Sequence, residues 1–396
     1  MALSLRTGGV VSEAQRLAVR FVVGIGLVSL CADFTYEGGR SISGPFLGLL
    51  GAGPLLVGAV AGVGEFLGYL VRLFSGNYVD RTGKHWTLMY LGYTVNLLSV
   101  PALALAGNAA AASVLVFTER LGKGLRTPAR DALLSQAGKE VGHGKVFGLH
   151  ELLDQMGAFL GPLLVALLVA QGGYRLGFAG LLVPALLALM FLRRAQGLEQ
   201  AQPLGRSGDW RRFPRIYYAY LVFAALNVAG FAHFQLVAYH LGITHQVAEA
   251  VIPLLFALSM GADALTAYAV GHLYDRYGLR MLWVLPLLSL PATPLFFLGS
   301  GLPLLVLAAL LWGAAMGLQE SLMRSAVATL TPESQRGTAY GLFDTAYGTA
   351  WMLGSLAMGW LYGIGPRFLV GFAVLFQLIS VVFLVRLTAR LPSEDH

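Results

Sequence analysis

Asp33, Glu37 and Arg40 fall at i, i+4 and i+7 in an apolar stretch about thirty residues long, and share one face if that stretch is helical. Ionisable groups near the middle of a membrane-length segment are expensive. They must face protein or a water-filled cavity, and the chemistry they suit is the binding of protons or of a charged ligand. Asp33 and Glu37 repel each other if both are ionised, while Arg40 opposes that repulsion, so one shared proton is the expected resting state. The competing reading is a self-neutralised cluster that only fixes packing.

Similar groups recur along the chain. Glu65 and Arg72 share one face of a second segment, with Glu65 placed to meet Arg40. In a fourth segment Glu119, Lys123, Arg126 and Arg130 share one face, and Arg120, Gly124 and Asp131 another; its end from Arg126 to Asp131 reads as a structural latch near Arg81. A fifth begins Gly148, His150, Glu151, Asp154 and continues through Gly157, Gly161 and Pro162. Its glycines make a flat stripe for close helix packing, its proline permits a bend, and its titratable groups read as hydrated near an entrance. In the second half Asn227, His233, Gln235, His240 and Asp263 supply polarity where the first half uses carboxylates and arginines.

The elements that must hold these groups are helices in a bilayer. A chain of 396 residues with 57% hydrophobic and 12% charged residues is too apolar for a soluble globular protein, and its mean hydropathy is +0.69. The apolar runs are long, which favours helices over a barrel, and fifty glycines suit close helix packing in lipid. Apolar helices are expected at roughly 20–49, 54–75, 86–106, 111–135, 148–170, 176–193, 216–241, 249–272, 281–299, 303–330, 341–363 and 368–388. Basic residues gather on alternate loops, whereas the opposite loops carry Arg175 and Arg367, so both termini and a basic linker at 194–215 are expected in the cytoplasm. That distribution also accounts for the net charge of +7 without a nucleic-acid partner. The first apolar run reads as a helix rather than a cleaved signal, and Cys31 alone allows no intrachain disulfide. No metal-ligand spacing, phosphate-binding glycine loop or catalytic constellation is visible, which disfavours a metal site, ATP-driven transport and enzyme activity.

The chain is internally duplicated. Gly76, Asp80, Arg81 and Gly83, followed by Lys84 and His85, return as Gly271, Asp275, Arg276 and Gly278, followed by Leu279 and Arg280, about 195 residues later. Each copy reads as a tight, solvated turn whose aspartate is free to satisfy donors at a neighbouring helix start. Gly341 to Gly354 aligns with Gly148 to Gly161 at an offset of 193, and Gly317 with Gly124 at the same offset.

Those paired turns, each after the second apolar segment of its half, resemble the loop signature of the major facilitator superfamily of twelve-helix secondary transporters. Arg120 with Gly124 and Pro128 resembles its fourth-helix motif, whose arginine is implicated in proton coupling; Lys123 stands where the family has glutamine. Gly148, Gly157, Gly161 and Pro162 resemble the fifth-helix motif of the drug/proton antiporter branch, with Val165 and Ala166 in place of its closing glycine pair.

The resemblance implies an all-α membrane protein with twelve transmembrane helices in two pseudo-symmetric six-helix bundles. Residues 1–193 form one, 194–215 the linker, and 216–396 the other with a short cytoplasmic tail. It implies a monomer in the cell (inner) membrane that exports a small organic molecule by alternating access, driven by the proton gradient without a cofactor. Uptake by symport, uncoupled facilitation, and a non-transporting receptor or scaffold are the alternatives. Proton carriers are expected in the order Asp33, Glu37, Glu65 and then Asp154, with Arg40, Arg120 and Lys123 tuning them or holding an anionic substrate. His233, Gln235 and Glu320 add polarity, and Tyr36, Phe66, Tyr69, Trp312, Tyr347 and Trp351 an apolar wall. Gating falls to Gly76, Asp80, Arg81, Gly83, Lys84, Asp131, Gly271, Asp275 and Arg276, with Asp80 capping the eleventh helix near Gly341 and Arg81 approaching Asp131.

Overall fold

A computed structural model describes residues 13–197, 213–332 and 335–388, apart from the side chains of 271, 272, 275, 336 and 337. Most of the expected linker, and the side chain of the expected gating residue Asp275, lie outside this description, and of the expected gating residue Gly271 only its place in a helix is described. The helices of the first half are α1 (Glu13–Leu49), α2 (Pro54–Thr82), α3 (His85–Ala102), α4 (Ala109–Val141), α5 (His143–Gly180) and α6 (Leu182–Gln196). Those of the second are α7 (Arg215–Ala229), α8 (Phe234–Thr244), α9 (Val251–Tyr277), α10 (Val284–Leu298), α11 (Leu302–Leu330), α12 (Arg336–Ile364) and α13 (Pro366–Thr388). Among the described residues nine segments are long and apolar enough to cross a membrane, one of them the 54-residue run His143–Gln196. That run is α5 and α6 together, and it is interrupted inside α5 at Gly172 and Gly173, whose backbone leaves the helical region. Its bend thus falls at the glycine pair, whereas Pro162 is buried inside α5.

In the first half α1 packs along α5 and α6, and α4 along α2 and α3; in the second, α11 packs along α9 and α10, and α7 along α12 and α13. The halves meet through α2 against α12, α1 against α8, and α5 against α9. Close helix approach repeats in register. Gly161 of α5 sits on the Phe34 carbonyl of α1, and Gly354 of α12 sits on the Ala229 carbonyl of α7. Gly124 of α4 faces the Gly68 carbonyl, and Gly317 of α11 faces the Asp263 carbonyl. Helices this close leave no room for a side chain at the contact, which is how small residues drive association in lipid.

Two expectations change. The stretch from Gly76 to Thr82 is the last part of α2, not a loop; the turn itself is Gly83, at φ +66, and Lys84. Its counterpart Gly278 also has positive φ, a backbone region that a side chain disfavours. The helix expected at 216–241 is broken between Ala229 and Phe234. A break inside a bilayer frees backbone groups that need partners. Trp312 supplies one, since its Nε1 donates to the Ala232 carbonyl at 2.9 Å. Fully buried and stacked on Phe231, Trp312 is packing and hydrogen-bonding support, not the cavity wall expected of it.

Candidate functional site

The glycines of α4 press it against α2 and α3, so the arginines between them have no route to water. Arg120 is 2% exposed and Arg126 not at all. A buried cation must find an acid. Arg120 Nη1 lies 3.0 Å from Glu65 Oε1 on α2, and its Nε 3.4 Å from Glu119 Oε2. Glu119 in turn accepts from Asn96 Nδ2 at 2.6 Å. Arg126 lies 3.6 Å from Asp33 Oδ1 and stacks over Tyr93. The Tyr36 ring receives two cations, the Arg120 guanidinium at 4.7 Å and Lys123 Nζ at 3.6 Å, while its hydroxyl reaches Glu65 Oε1 at 3.5 Å. Arg40 Nη1 lies 3.4 Å from Glu37 Oε2.

Several partnerships differ from those expected. Glu65 is held by Arg120 rather than Arg40, because α4 lies alongside α2 at that depth. Arg126 is no latch at the helix end but a buried counter-ion to Asp33. The second carboxyl group within hydrogen-bond reach of Asp33 is Asp154 of α5, not Glu37. Helix α5 packs along α1, so a group across that contact also faces Asp33. His150, one turn before Asp154, is buried and joined to Ser29 Oγ at 2.7 Å instead of hydrated at an entrance.

The second half repeats this geometry with neutral groups. Gln319 occupies the place of Arg126, and Tyr347 that of Asp154, at an offset of 193; the Tyr347 hydroxyl donates to Gln319 Oε1 at 3.0 Å. Tyr347 meets Trp351 edge-on at 5.1 Å, and Trp351 stacks on His233 at 4.4 Å. Across from them, Tyr69 reaches Tyr347 edge-on at 6.2 Å and carries Arg72 on its ring, while Phe66 is half-buried on α2. Asp263 is buried on α9 and Glu320 is exposed on α11. Asn227 is core: its Nδ2 donates to Gln377 Oε1, and Gln377 Nε2 donates back to the Asn227 carbonyl. His240 is joined to the Tyr362 hydroxyl at 2.6 Å.

The turn residues sit apart from this network. Asp80, Arg81 and Lys84 are exposed, and among the described residues neither Asp80 nor Arg81 makes an ion pair. Asp131 pairs with its neighbour Arg130 at 2.9 Å, not with Arg81, and nothing lies within 4 Å of where a Gly341 side chain would begin. The expected Asp80 cap and Arg81 contact are therefore not formed. Gly76 rests on Pro128, and Arg276 lies over the Tyr277 ring. Of the fifth-helix glycines, Gly157 and Gly161 seat against α1, whereas Gly148 is exposed and touches nothing. Asn96 and Ser29, absent from the expected site, belong to the buried network. A lone asparagine in an apolar run was the available signal.

The sequence model of the Major Facilitator Superfamily matches residues 29–244 and 218–396. The chain belongs to the Major Facilitator Superfamily. An uncharacterized protein of Mycobacterium tuberculosis is 41% identical over 391 residues, covering 95% of each chain. An uncharacterized MFS-type transporter of Methanocaldococcus jannaschii is 25% identical over 386 residues, covering 94% of this chain and 96% of its own. Among solved structures, a variant of the nucleoside transporter NupG superposes with a TM-score of 0.76 at 14% identity, over 93% of this chain and 99% of that one. A variant of the peptide transporter POT gives 0.75 at 15% identity, over 96% and 98%. The protein is thus a multi-pass membrane transporter of the major facilitator type, with the bilayer as its solvent and a small molecule as its cargo.

Proposed function

We propose that this major facilitator exports a small organic molecule in exchange for protons, with the first bundle carrying the proton, both termini in the cytoplasm of the inner membrane, and a monomer as the working unit. The observation that carries the reading is the reach of Asp154 to Asp33, beside Arg126 at 3.6 Å. Two neighbouring carboxyl groups in a medium of low dielectric hold one proton between them, since both cannot ionise there at acceptable cost. Arg126 balances the single charge that remains. Asp154 is only half-buried, so water entering from the basic end reaches it first and gives the proton a way out. Losing the proton places a second negative charge in the buried site, and the cost of that charge favours whichever bundle arrangement hydrates the pair. Glu37 and Glu65, each already held by an arginine, tune the field at the substrate site.

Ligands found by thermal shift of the purified protein at several pH values supply the substrate for the test. Proteoliposomes with an imposed pH gradient then report accumulation by wild type, Asp33→Asn, Asp154→Asn and Glu37→Gln. Asp33→Asn and Asp154→Asn should lose gradient-driven accumulation while keeping downhill exchange of substrate for substrate. If both still concentrate substrate as wild type does, the proton is carried elsewhere. Protons moving in the same direction as substrate would overturn export in favour of symport.

A further inference from the structure

Arg40 is 7% exposed, and only one nitrogen of its guanidinium, Nη1, is engaged, by Glu37. Nε and Nη2 are buried and have no hydrogen-bond partner. Those two N–H groups lie on one edge of the planar guanidinium and point in parallel. That edge is the fork that binds both oxygens of a carboxylate or two oxygens of a phosphate. A buried donor left bare carries a desolvation penalty, larger still when it is charged.

Arg40 also borders a cavity between the two halves. A small cavity of about 20 Å³ is lined by Arg40, Tyr36, Ser43, Arg120 and Gln235, among others. Gln235, on α8 of the second half and 2% exposed, has an unpartnered Oε1; turning the amide presents an N–H to an acceptor instead. His233 precedes it by two residues, is equally buried, and has both ring nitrogens unpartnered. Acids face the site too, and most are committed: Glu37 to Arg40 Nη1, and Glu65 and Glu119 to Arg120. Asp263 and Glu320 act on Arg40 from the second half. Because Glu37 occupies only Nη1, an oxyanion can take the Nε–Nη2 edge without displacing it.

We infer that Arg40 is an oxyanion-binding residue of the substrate site, and that the cargo carries a carboxylate or phosphate group seated on Nε and Nη2 with its remainder reaching Gln235 and His233. The inference rests on the transport reading, since such a ligand spans α1 of one half and α8 of the other and is released when they part.

Thermal shift and titration of the purified protein, in neutral detergent and chloride-free buffer, test it with three probes on one ring: benzoate, phenyl phosphate and the uncharged benzamide. One of the two anions should raise Tm and bind, which identifies the oxyanion as carboxylate or phosphate, while benzamide should do neither. Arg40→Lys keeps a cation for Glu37 but lacks the fork, and should weaken anion binding about tenfold or more. Gln235→Leu, a neutral change on the other half, should weaken it a few-fold and guards against loss of folding in the first variant. Binding of benzamide as tight as that of the anions, no binding of either anion, or wild-type affinity in Arg40→Lys would overturn the inference. The measurement uses no gradient, so its failure leaves proton coupling standing, and failure of coupling in Asp33→Asn leaves oxyanion binding standing.

Discussion

Gly148 and Gly161 belong to one sequence motif, yet the same substitution should move stability in opposite directions at the two positions. A β-carbon at Gly161 overlaps the Phe34 carbonyl oxygen and stands 2.9 and 3.0 Å from the Phe34 carbonyl carbon and Cα. Carbon atoms in good contact sit at about 3.5–4.0 Å, so α1 and α5 must part by several tenths of an ångström along their longest contact. Overpacking of this kind costs about 1–3 kcal/mol. Alanine's better helix propensity returns at most about 1 kcal/mol, which leaves Gly161→Ala destabilised on balance. At Gly148 nothing lies within 4 Å of the same β-carbon. Only the propensity gain of about 0.5–1 kcal/mol remains there, and Gly148→Ala should be neutral or slightly stabilised. Unfolding in mixed detergent–SDS micelles, followed by circular dichroism, measures both. Gly354→Ala, whose β-carbon meets the Ala229 backbone, serves as the second-half copy of Gly161→Ala and should lose stability likewise. Equal effects at Gly148 and Gly161, or wild-type stability of Gly161→Ala, would refute the packing argument.

Arg126→Met removes the guanidinium paired with the buried Asp33 and should cost about 3–5 kcal/mol, and adding Asp33→Asn should recover most of the loss. A double-mutant cycle giving no coupling energy would show that the two do not pair. Trp312→Phe removes the donor to the Ala232 carbonyl and should cost about 1–3 kcal/mol in a thermal scan, with new protease sensitivity at 230–233; stability equal to wild type would refute its role at the break. Gly107 is exposed and unobstructed, so Gly107→Cys in a Cys31→Ser background should react with a membrane-impermeant maleimide on intact cells. Reaction only after lysis would reverse the proposed orientation.

Sequence alone was enough for everything that depends on local chemistry. Apolar runs too long for any solvent but lipid determined the all-helical membrane class, and the duplicated glycines at 83 and 278 marked two equivalent turns because only a residue without Cβ enters that backbone region freely. Charged residues inside apolar runs also announced themselves, since burial of an ion always needs a compensating partner. Which partner was beyond the sequence. Spacing along one helix places Asp33 beside Glu37, whereas close packing of α1 on α5 and the side chains of α4 give it Asp154 and Arg126. Exposure escaped for the same reason: Gly148 and Gly161 read alike along the chain, and only the neighbouring helix makes one a contact and the other a bare surface. The break between α7 and α8 carries no proline to announce it, and is tolerated because Trp312, eighty residues on from Ala232, supplies the hydrogen bond that lipid cannot.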